Sequence, residues 1–361
     1  MSAAPVRCAV MRGGTSKGLV FVADDLPMDR SARDDLLLRL MGSPDPRQID
    51  GLGGAHPLTS KVAIVSASTD DGADVDYLFL QVQVQESVVS ASQTCGNMLA
   101  AVAPFALGRG LLAARDGVSP VRVRMLNTGT VATVHVTTPA GVVTYEGDAR
   151  MSGVPGTAAP VTISMDESAD ALFPTGRLRE ELAGLDVTCV DNGMPSVLVR
   201  ADALGCTGQE SPVELEAMPD VVRRVRDLRA EAARAMGLDL ELQASTVPKI
   251  VLVSSPYDGG AIATRSFIPV RVHEAIGVLG AASVAAAAVV PGTVAHDVVV
   301  APTDDVIRVE HPSGFLDVSI ALLDGPPDRL PAVTGTSVVR TARLLMDGLA
   351  HPAPPRDQLT T

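Results

Sequence analysis

Three short stretches of this chain carry residues with usable chemistry. The first is Ser92-Gln93-Thr94-Cys95-Gly96-Asn97, which leads into an apolar run that reads as a helix. Free backbone N–H groups and the macrodipole make a helix start an anion site, and the same field favours the thiolate of a cysteine placed there. Cys95 is thereby placed to exchange protons with carbon; the alternative is the buried, inert state usual for a free cysteine. Gly96 and Asn97 beside it favour the chemical reading, and Cys8, Cys189 and Cys206 have no such setting. The second stretch is Arg12-Gly13-Gly14-Thr15-Ser16-Lys17-Gly18. It fails the GxxxxGK[ST] pattern of a nucleotide phosphate loop because Gly18 follows Lys17. What remains is a turn with N–H, hydroxyl and ammonium donors suited to a carboxylate, or an ordinary hairpin turn. The third is Asp50-Gly51-Leu52-Gly53-Gly54 followed by Leu58-Thr59-Ser60-Lys61-Val62-Ala63-Ile64-Val65. Lys61 opens an apolar strand, where burial moves a lysine toward the acid–base range. Otherwise it is a solvent-exposed lysine at a strand entrance.

The elements that must hold these residues follow from patterning. Strands are expected at 6–10 and 19–22, on either side of the turn. A helix is expected over 29–41, with Leu36, Leu37, Leu40 and Met41 apolar and Gly42 as its stop. Runs 61–67 and 75–84 read as strands, the second alternating through Leu78, Leu80, Val82 and Val84. An apolar helix over 98–107 is closed by Gly108, and 121–125 with 131–137 form a hairpin around Asn127-Thr128-Gly129. Near 185 the pattern begins again. Strands at 187–190 and 197–200 flank Asn192-Gly193-Met194-Pro195, and a charged helix over 219–236 carries Val221, Val225, Leu228 and Ala232 on one face. Strands at 250–254 and 261–267 follow, then an apolar helix from Gly277. The uncharged stretch 275–295 is long enough to span a bilayer. It is rich in alanine and contains Pro291, and alanine inserts weakly, so it reads as a buried helix. Residue identity between the halves is low; the order of elements is what repeats. A helix with alanine on every side must be surrounded by sheet, which predicts two halves, each a sheet wrapped on one helix.

Composition removes other classes. With 361 residues, 46% hydrophobic and 20% charged, the chain can bury a core. Six Phe, three Tyr and no Trp argue against base stacking or aromatic cages. A net charge of −13 argues against nucleic acid as a partner. Four scattered cysteines without CxxC, and six histidines without HExxH, argue against a zinc ribbon, a disulfide scaffold or a dedicated metal site. The N-terminus lacks an apolar signal region, so a cytoplasmic protein without membrane partner is expected, and the tail 351–361 is expected to be disordered. An anionic ligand would have to be met by locally placed donors.

Taken together, Met11-Arg12-Gly13-Gly14-Thr15-Ser16-Lys17-Gly18, Leu58-Thr59-Ser60-Lys61-Val62-Ala63 and Cys95-Gly96-Asn97 occur in the order seen in the PrpF-type isomerases. Asp191-Asn192-Gly193-Met194-Pro195, Thr264-Arg265-Ser266-Phe267-Ile268-Pro269, His311-Pro312-Ser313-Gly314 and Val339-Arg340-Thr341-Ala342-Arg343 extend the match. The chain resembles that family over about 8–348. Within it the resemblance is greatest to the 4-oxalomesaconate tautomerase branch of bacterial gallate or protocatechuate breakdown; other members shift double bonds in methylaconitate or methylitaconate. The resemblance implies an α+β, diaminopimelate-epimerase-like fold, with two pseudo-symmetric domains, each a curved sheet around a central helix, and the site between them. Domains are then expected at 1–185 with the returning segment 337–350, and at 186–336.

The departure from the epimerase pattern matters. Epimerases and proline racemases have a cysteine at both helix starts, whereas the second start here reads His273-Glu274-Ala275-Ile276-Gly277-Val278. One thiol plus Lys61 suits a 1,3-proton shift rather than a two-thiol racemisation. The resemblance implies Lys61 and Cys95 as catalytic residues, with no cofactor and no metal. It implies substrate binding by Thr15, Ser16, Lys17, Ser60, Gly96, Asn97, Asn127 and Thr128, and by Met194, Arg265, His273, Gly277 and Val278. A non-catalytic accessory to an aconitase-like enzyme is the alternative from another class, which having both Lys61 and Cys95 disfavours. The sequence leaves open whether the chain works alone or as a homodimer.

Overall fold

The computed structural model describes residues 4–92, 94–166, 171–238, 245–269, 271–301, 306–323 and 330–355. Gln93 lies outside the described residues. Of the tail 351–361 expected to be disordered, 356–361 lie outside them too, whereas Pro352 is buried and the Ala353 carbonyl accepts from the Arg39 guanidinium at 2.9 Å, which ties 351–355 down. The chain packs as two compact units, Met1–Ile163 with Arg340–Thr361, and Ser164–Val339. The division falls at 163/164, against the 185/186 expected from the sequence.

In the first unit, β1 (Val6–Gly13) and β2 (Ser16–Val22) form a hairpin. Helix α1 (Arg30–Met41) starts on Asp29, whose carboxylate accepts from Ala32 N at 2.8 Å, and stops on left-handed Gly42 (φ 76°). It carries the chain to β3 (Lys61–Ala67), which pairs in parallel with β2, and β4 (Val75–Val82) returns antiparallel to β3. The short β5 (Val89–Ser90) leads to α2 (Gly96–Gly108). β6 (Gly117–Met125) then runs parallel to β4, and β7 (Val131–Thr138) closes a hairpin with β6. A small ribbon of β8 (Ala149–Met151) and β9 (Val154–Ala158) precedes β10 (Pro160–Asp166).

The second unit repeats this order. After β11 (Glu180–Leu182) come a hairpin of β12 (Leu185–Val190) and β13 (Ser196–Arg200), the helices α3 (Pro212–Glu216) and α4 (Pro219–Ala235), and β14 (Lys249–Ser254) parallel to β13. β15 (Ile262–Ile268), β16 (Arg271–Val272) and α5 (Val278–Ala288) follow. β17 (Val306–His311) runs parallel to β15 and pairs with β18 (Gly314–Leu323). The 19-residue β19 (Ala332–Ala350) pairs first with β18 and then, along its second half, with β1.

Both faces of these sheets are buried, for different partners. In the first unit Leu19, Phe21, Val62, Ile64, Leu80 and Val82 pack against Leu36, Leu37, Leu40 and Met41 of α1. Alternation then turns Ser16, Lys61, Phe79 and Gln81 to the opposite face, toward α2. Each buried Leu or Phe in the α1 layer contributes about 1.5–3 kcal/mol. A one-residue slip of β3 would forfeit that layer and turn Lys61 into it. Helix α2 is covered by β1, β2, β3, β4, β6 and β7, and all residues from Met98 to Leu107 are buried. Helix α5 is packed by β12, β13, β17 and β18 with every residue buried. Each unit is thus a sheet around one apolar helix, the α+β diaminopimelate-epimerase-like arrangement. At 11 residues α5 is about 16 Å long, far short of a bilayer. Among the described residues no helix is long and apolar enough to cross a membrane.

Candidate active site

Cys95 is the residue on which α2 begins, in extended conformation (φ −134°, ψ 100°), and its side chain caps nothing. Its carbonyl is held twice, by Leu99 N at 3.0 Å and by the Tyr77 hydroxyl at 3.2 Å. The backbone is therefore fixed while the half-buried thiol is left for chemistry. The other three cysteines are buried. Burial pushes the Cys8 thiol up to about 11 and Cys189 to about 12, and raises Cys206 as well.

The β1–β2 turn is docked on the first turn of α2. A Cβ on Gly13 would lie 2.5 Å from the Asn97 carbonyl oxygen, and one on Gly14 (φ 53°) would lie 2.2 Å from Asn97 Oδ1. Only glycines permit this approach. Asn97 Nδ2 donates to Thr15 Oγ1 at 3.0 Å. The Arg12 guanidinium donates to the carbonyls of Gly14 (2.9 Å) and Thr341 (3.0 Å), and Gly14 N donates to Thr341 O at 2.9 Å. Around this junction, Ser16 Oγ, Thr94 Oγ1 and Asn97 Oδ1 are buried and without a hydrogen-bond partner. Native structures rarely leave such groups unmet. Two hydroxyls beside the free N–H groups of a helix start form a donor set for a carboxylate. A Cβ on Gly54 would lie 3.4 Å from Lys17 Nζ, which brings the glycine-rich 51–54 loop to Lys17.

Lys61, 6% exposed, faces the α2 side from the first position of β3. Its Nζ donates to Gln81 Oε1 at 3.1 Å and lies 5.1 Å from the centre of the Phe79 ring. Gln81 is a residue the sequence reading missed. Ser60 and Asn127, expected as ligand donors, have partners within the protein. Ser60 Oγ donates to Gln48 Oε1 at 2.7 Å, and Gln48 Nε2 donates to Ser43 Oγ at 2.9 Å, so this buried pair organises the loop leading to β3. Asn127 Oδ1 accepts from Phe79 N, and its Nδ2 donates to the carbonyls of Phe79 and Ala91. It anchors the approach to Cys95. Thr128 Oγ1 is 2.7 Å from Thr130 Oγ1 in an exposed turn.

In the second unit, the Met194 carbonyl accepts from Ser196 Oγ and Ser283 Oγ, both at 2.9 Å, and Asn192 N donates to Ser283 Oγ at 3.0 Å. This turn therefore docks on α5 as the first turn docks on α2. Gly277 is the residue on which α5 begins, with open space where a Cβ would be, and Val278 follows it, buried. His273 Nδ1 accepts from Ala275 N at 2.8 Å, shaping the entry to that helix. Arg265 stands apart. It shares a strand face with Phe267, which belongs to the core under α4, so it points away from α5. Its donors go to the carbonyls of Glu210 and Thr264 and to the Tyr257 hydroxyl.

The second residue missed by the sequence reading is Lys249, buried at the start of β14, where burial and the Arg229 charge lower its pKa from 10.5 to about 7. A signal existed: Lys249-Ile250-Val251-Leu252-Val253-Ser254 echoes Lys61-Val62-Ala63-Ile64-Val65-Ser66. Among the described residues no group of three or more His, Cys, Asp or Glu side chains gathers as a metal site.

Comparison with known proteins adds the following. The family model described as PrpF protein matches residues 4–352. The chain is 48% identical over 355 residues to a (4E)-oxalomesaconate Delta-isomerase of Novosphingobium sp. (strain KA1), covering 97% of each protein. It is 49% identical over 350 residues to a 4-oxalomesaconate tautomerase of Pseudomonas putida, covering 95% of each. A crystal structure of a methylitaconate-delta-isomerase superposes with a TM-score of 0.83 at 32% identity, over 100% of this chain and 98% of that one.

Proposed function

Because the chain belongs to the PrpF family, we propose that it is a cytoplasmic, cofactor-independent isomerase that moves a proton along the allylic or keto–enol unit of 4-oxalomesaconate, in the breakdown of aromatic compounds such as gallate or protocatechuate. The observation that carries the site is local. Lys61 opens β3 on the face turned toward α2, Cys95 is the residue on which α2 begins, and the buried hydroxyls of Ser16 and Thr94 have no hydrogen-bond partner among the described residues, which supports this reading.

Each step balances without an external electron donor. The Lys61 amine removes a proton from the substrate methylene, and the electron pair spreads into the conjugated carbonyl as an enolate. The N–H groups at the α2 start and the Ser16, Thr94 and Lys17 donors hold the developing charge and its carboxylate, already oriented before the charge appears. Cys95 then delivers a proton from its thiol to the far end of the allylic unit. The net change is a 1,3-proton shift, and the Lys61 ammonium and Cys95 thiolate it leaves return to amine and thiol by exchanging protons with solvent. With Gly277 at the start of α5, the second thiol of a racemase is lacking at that position.

Turnover followed by ultraviolet absorbance tests the reading. Purified protein is expected to convert 4-oxalomesaconate with a higher kcat/KM than 2-methylaconitate or methylitaconate. A preference for a methylated substrate would move the assignment to the reaction of the methylitaconate isomerase relative. Copurification with an aconitase-like enzyme, without any substrate-dependent absorbance change, would make the chain an accessory protein.

A further inference from the structure

One strand of the first unit touches both proton-transfer residues. Tyr77, Phe79 and Gln81 alternate along the face of β4 that is turned toward α2. Toward its C-terminal end Gln81 Oε1 accepts from Lys61 Nζ, and the Phe79 ring lies 5.1 Å from the same amine. Toward its N-terminal end the Tyr77 hydroxyl donates to the Cys95 carbonyl at 3.2 Å. The path into α2 is tied to β4 a second time. Asn127 bonds both backbone groups of Phe79 and donates to the Ala91 carbonyl at 3.0 Å. Ala91 and Cys95, on either side of 92–94, are therefore referred to the same strand.

Tyr77 is fully buried, and its hydroxyl is the only polar atom of the side chain. Burial, and after it the charge of a Cys95 thiolate, push its pKa well above the ordinary 10, so the hydroxyl keeps its proton and stays a donor. The Cys95 carbonyl already accepts from Leu99 N at 3.0 Å, the first bond of α2. It does not need Tyr77 to be satisfied. The second donor instead restrains the peptide plane that follows Cys95. With φ −134° and ψ 100° held, the direction in which the thiol leaves the chain is fixed.

We propose that Tyr77 is the positioning residue of Cys95, holding its thiol in register with the Lys61 amine that Gln81 holds from the same strand. The proposal rests on the isomerase reading above and adds the residue through which the fold sets the relation between the two groups. Tyr77 passes no proton to substrate and acts only through Cys95.

The test is Y77F in the full chain. It keeps the ring, removes one oxygen and leaves the Cys95 carbonyl bonded to Leu99 N, so the fold is expected to stand; Y77M serves where Y77F does not fold. The first readout needs no substrate. Amide hydrogen exchange mapped by peptide mass spectrometry is expected to quicken about 10-fold around Leu99 and to stay unchanged in α5. The second readout is turnover of 4-oxalomesaconate. A fall in kcat of about 10-fold with KM unchanged is expected, because the substrate does not touch Tyr77. Two rates are then compared in deuterated water, exchange of the methylene hydrogens and formation of product. Y77F should show the pattern of Cys95→Ser, and Gln81→Leu that of Lys61→Met, whichever group takes the first proton. Wild-type kcat in Y77F, the pattern of Lys61→Met, unchanged exchange around Leu99, or exchange quickened equally in α2 and α5 each overturns the proposal. A wild type that neither exchanges nor converts the substrate would remove the isomerase reading instead. The amide exchange of Y77F would still decide whether Tyr77 holds the start of α2.

Discussion

Lys61 and Gln81 face each other across the β3–β4 ladder, and Lys61 Nζ donates to Gln81 Oε1 at 3.1 Å. The amide of Gln81 cannot flip freely, because its Nε2 donates to the carbonyls of Pro57 and Ser60, each at 3.1 Å. The glutamine thus ties the loop that precedes β3 to the amine that follows it. A long, flexible side chain is held in one place before substrate arrives, and positioning of this kind lowers a proton-transfer barrier.

Gln81→Leu should therefore separate positioning from chemistry. The amine remains but loses its acceptor, and turnover is expected to fall about 100-fold. Taking the Gln81 donor from the Pro57 carbonyl should cost about 1–3 kcal/mol of stability, while the Ser60 carbonyl keeps Val82 N. Steady-state kinetics beside a thermal melt checks both. Unchanged kcat in a folded Gln81→Leu protein would show that Lys61 needs no partner.

The thiols offer a direct readout. At pH 8 burial leaves Cys8 and Cys189 almost wholly as thiols, with values near 11 and 12, and Cys206 is raised in the same direction. Native protein treated with iodoacetamide at that pH is expected to gain one label, on Cys95, as mapped by peptide mass spectrometry. Saturating substrate should slow the labelling. First labelling at Cys206 would contradict this order.

Gly14→Ala tests the docking of the turn on α2. The new Cβ would fall 2.2 Å from Asn97 Oδ1 at a residue with φ 53°. Backbone strain of this kind costs about 1–3 kcal/mol, and here Asn97 must also move from Thr15. A lower melting temperature and a raised KM are expected together. A variant with wild-type KM would mean that Asn97 and Thr15 do not shape the binding site.

Acid stability should depend on a cross-strand pair away from the site. Asp76 and Arg124 are opposite each other on β4 and β6, joined by two hydrogen bonds of 2.8 Å. The Arg124 hydrogen bonds, helped by Ser68, hold the Asp76 carboxyl below its ordinary 3.8. Stabilisation from this group is present above the unfolded value of 3.8 and is lost as pH falls through the folded one. Arg124→Met should raise the pH midpoint of acid unfolding and leave neutral-pH turnover unchanged. An unmoved midpoint would show the pair to be stability-neutral.

Local signals in the chain led to some parts of this structure and not to others. Asp29 and Gly42 bracket α1 because capping is a local property, and the Cys95-Gly96 helix start was visible for the same reason. Gln81 was hidden because the alternation of Leu78, Leu80 and Val82 implied a solvent face opposite them. In fact α2 covers that face, and Tyr77 and Phe79 are fully buried on it. The motif around Arg265 does not reveal which side of β15 it occupies; that depends on the register with β14. The hydrogen-bond partners of Ser60 and Asn127, namely Gln48, Phe79 and Ala91, are set by tertiary packing and carry no local signal. The 19-residue β19 escaped because pairing to β18 and β1, distant in sequence, stabilises it.

The order of proton transfer can be read from isotope exchange. If Lys61 removes the methylene proton and Cys95 delivers one at the far carbon, the two steps fail separately. Each group is expected to contribute about 10²–10⁴-fold to its step. Cys95→Ser should still exchange the methylene hydrogens of 4-oxalomesaconate with deuterated water while forming product slowly, because the enolate forms and returns. Lys61→Met should abolish exchange and product formation alike. The reverse pattern, with exchange lost in Cys95→Ser and kept in Lys61→Met, would assign the thiolate as base and the lysine as acid. Near-normal turnover in both variants would remove the pair from the mechanism and leave the unpartnered hydroxyls of Ser16 and Thr94 as a binding site for some other chemistry.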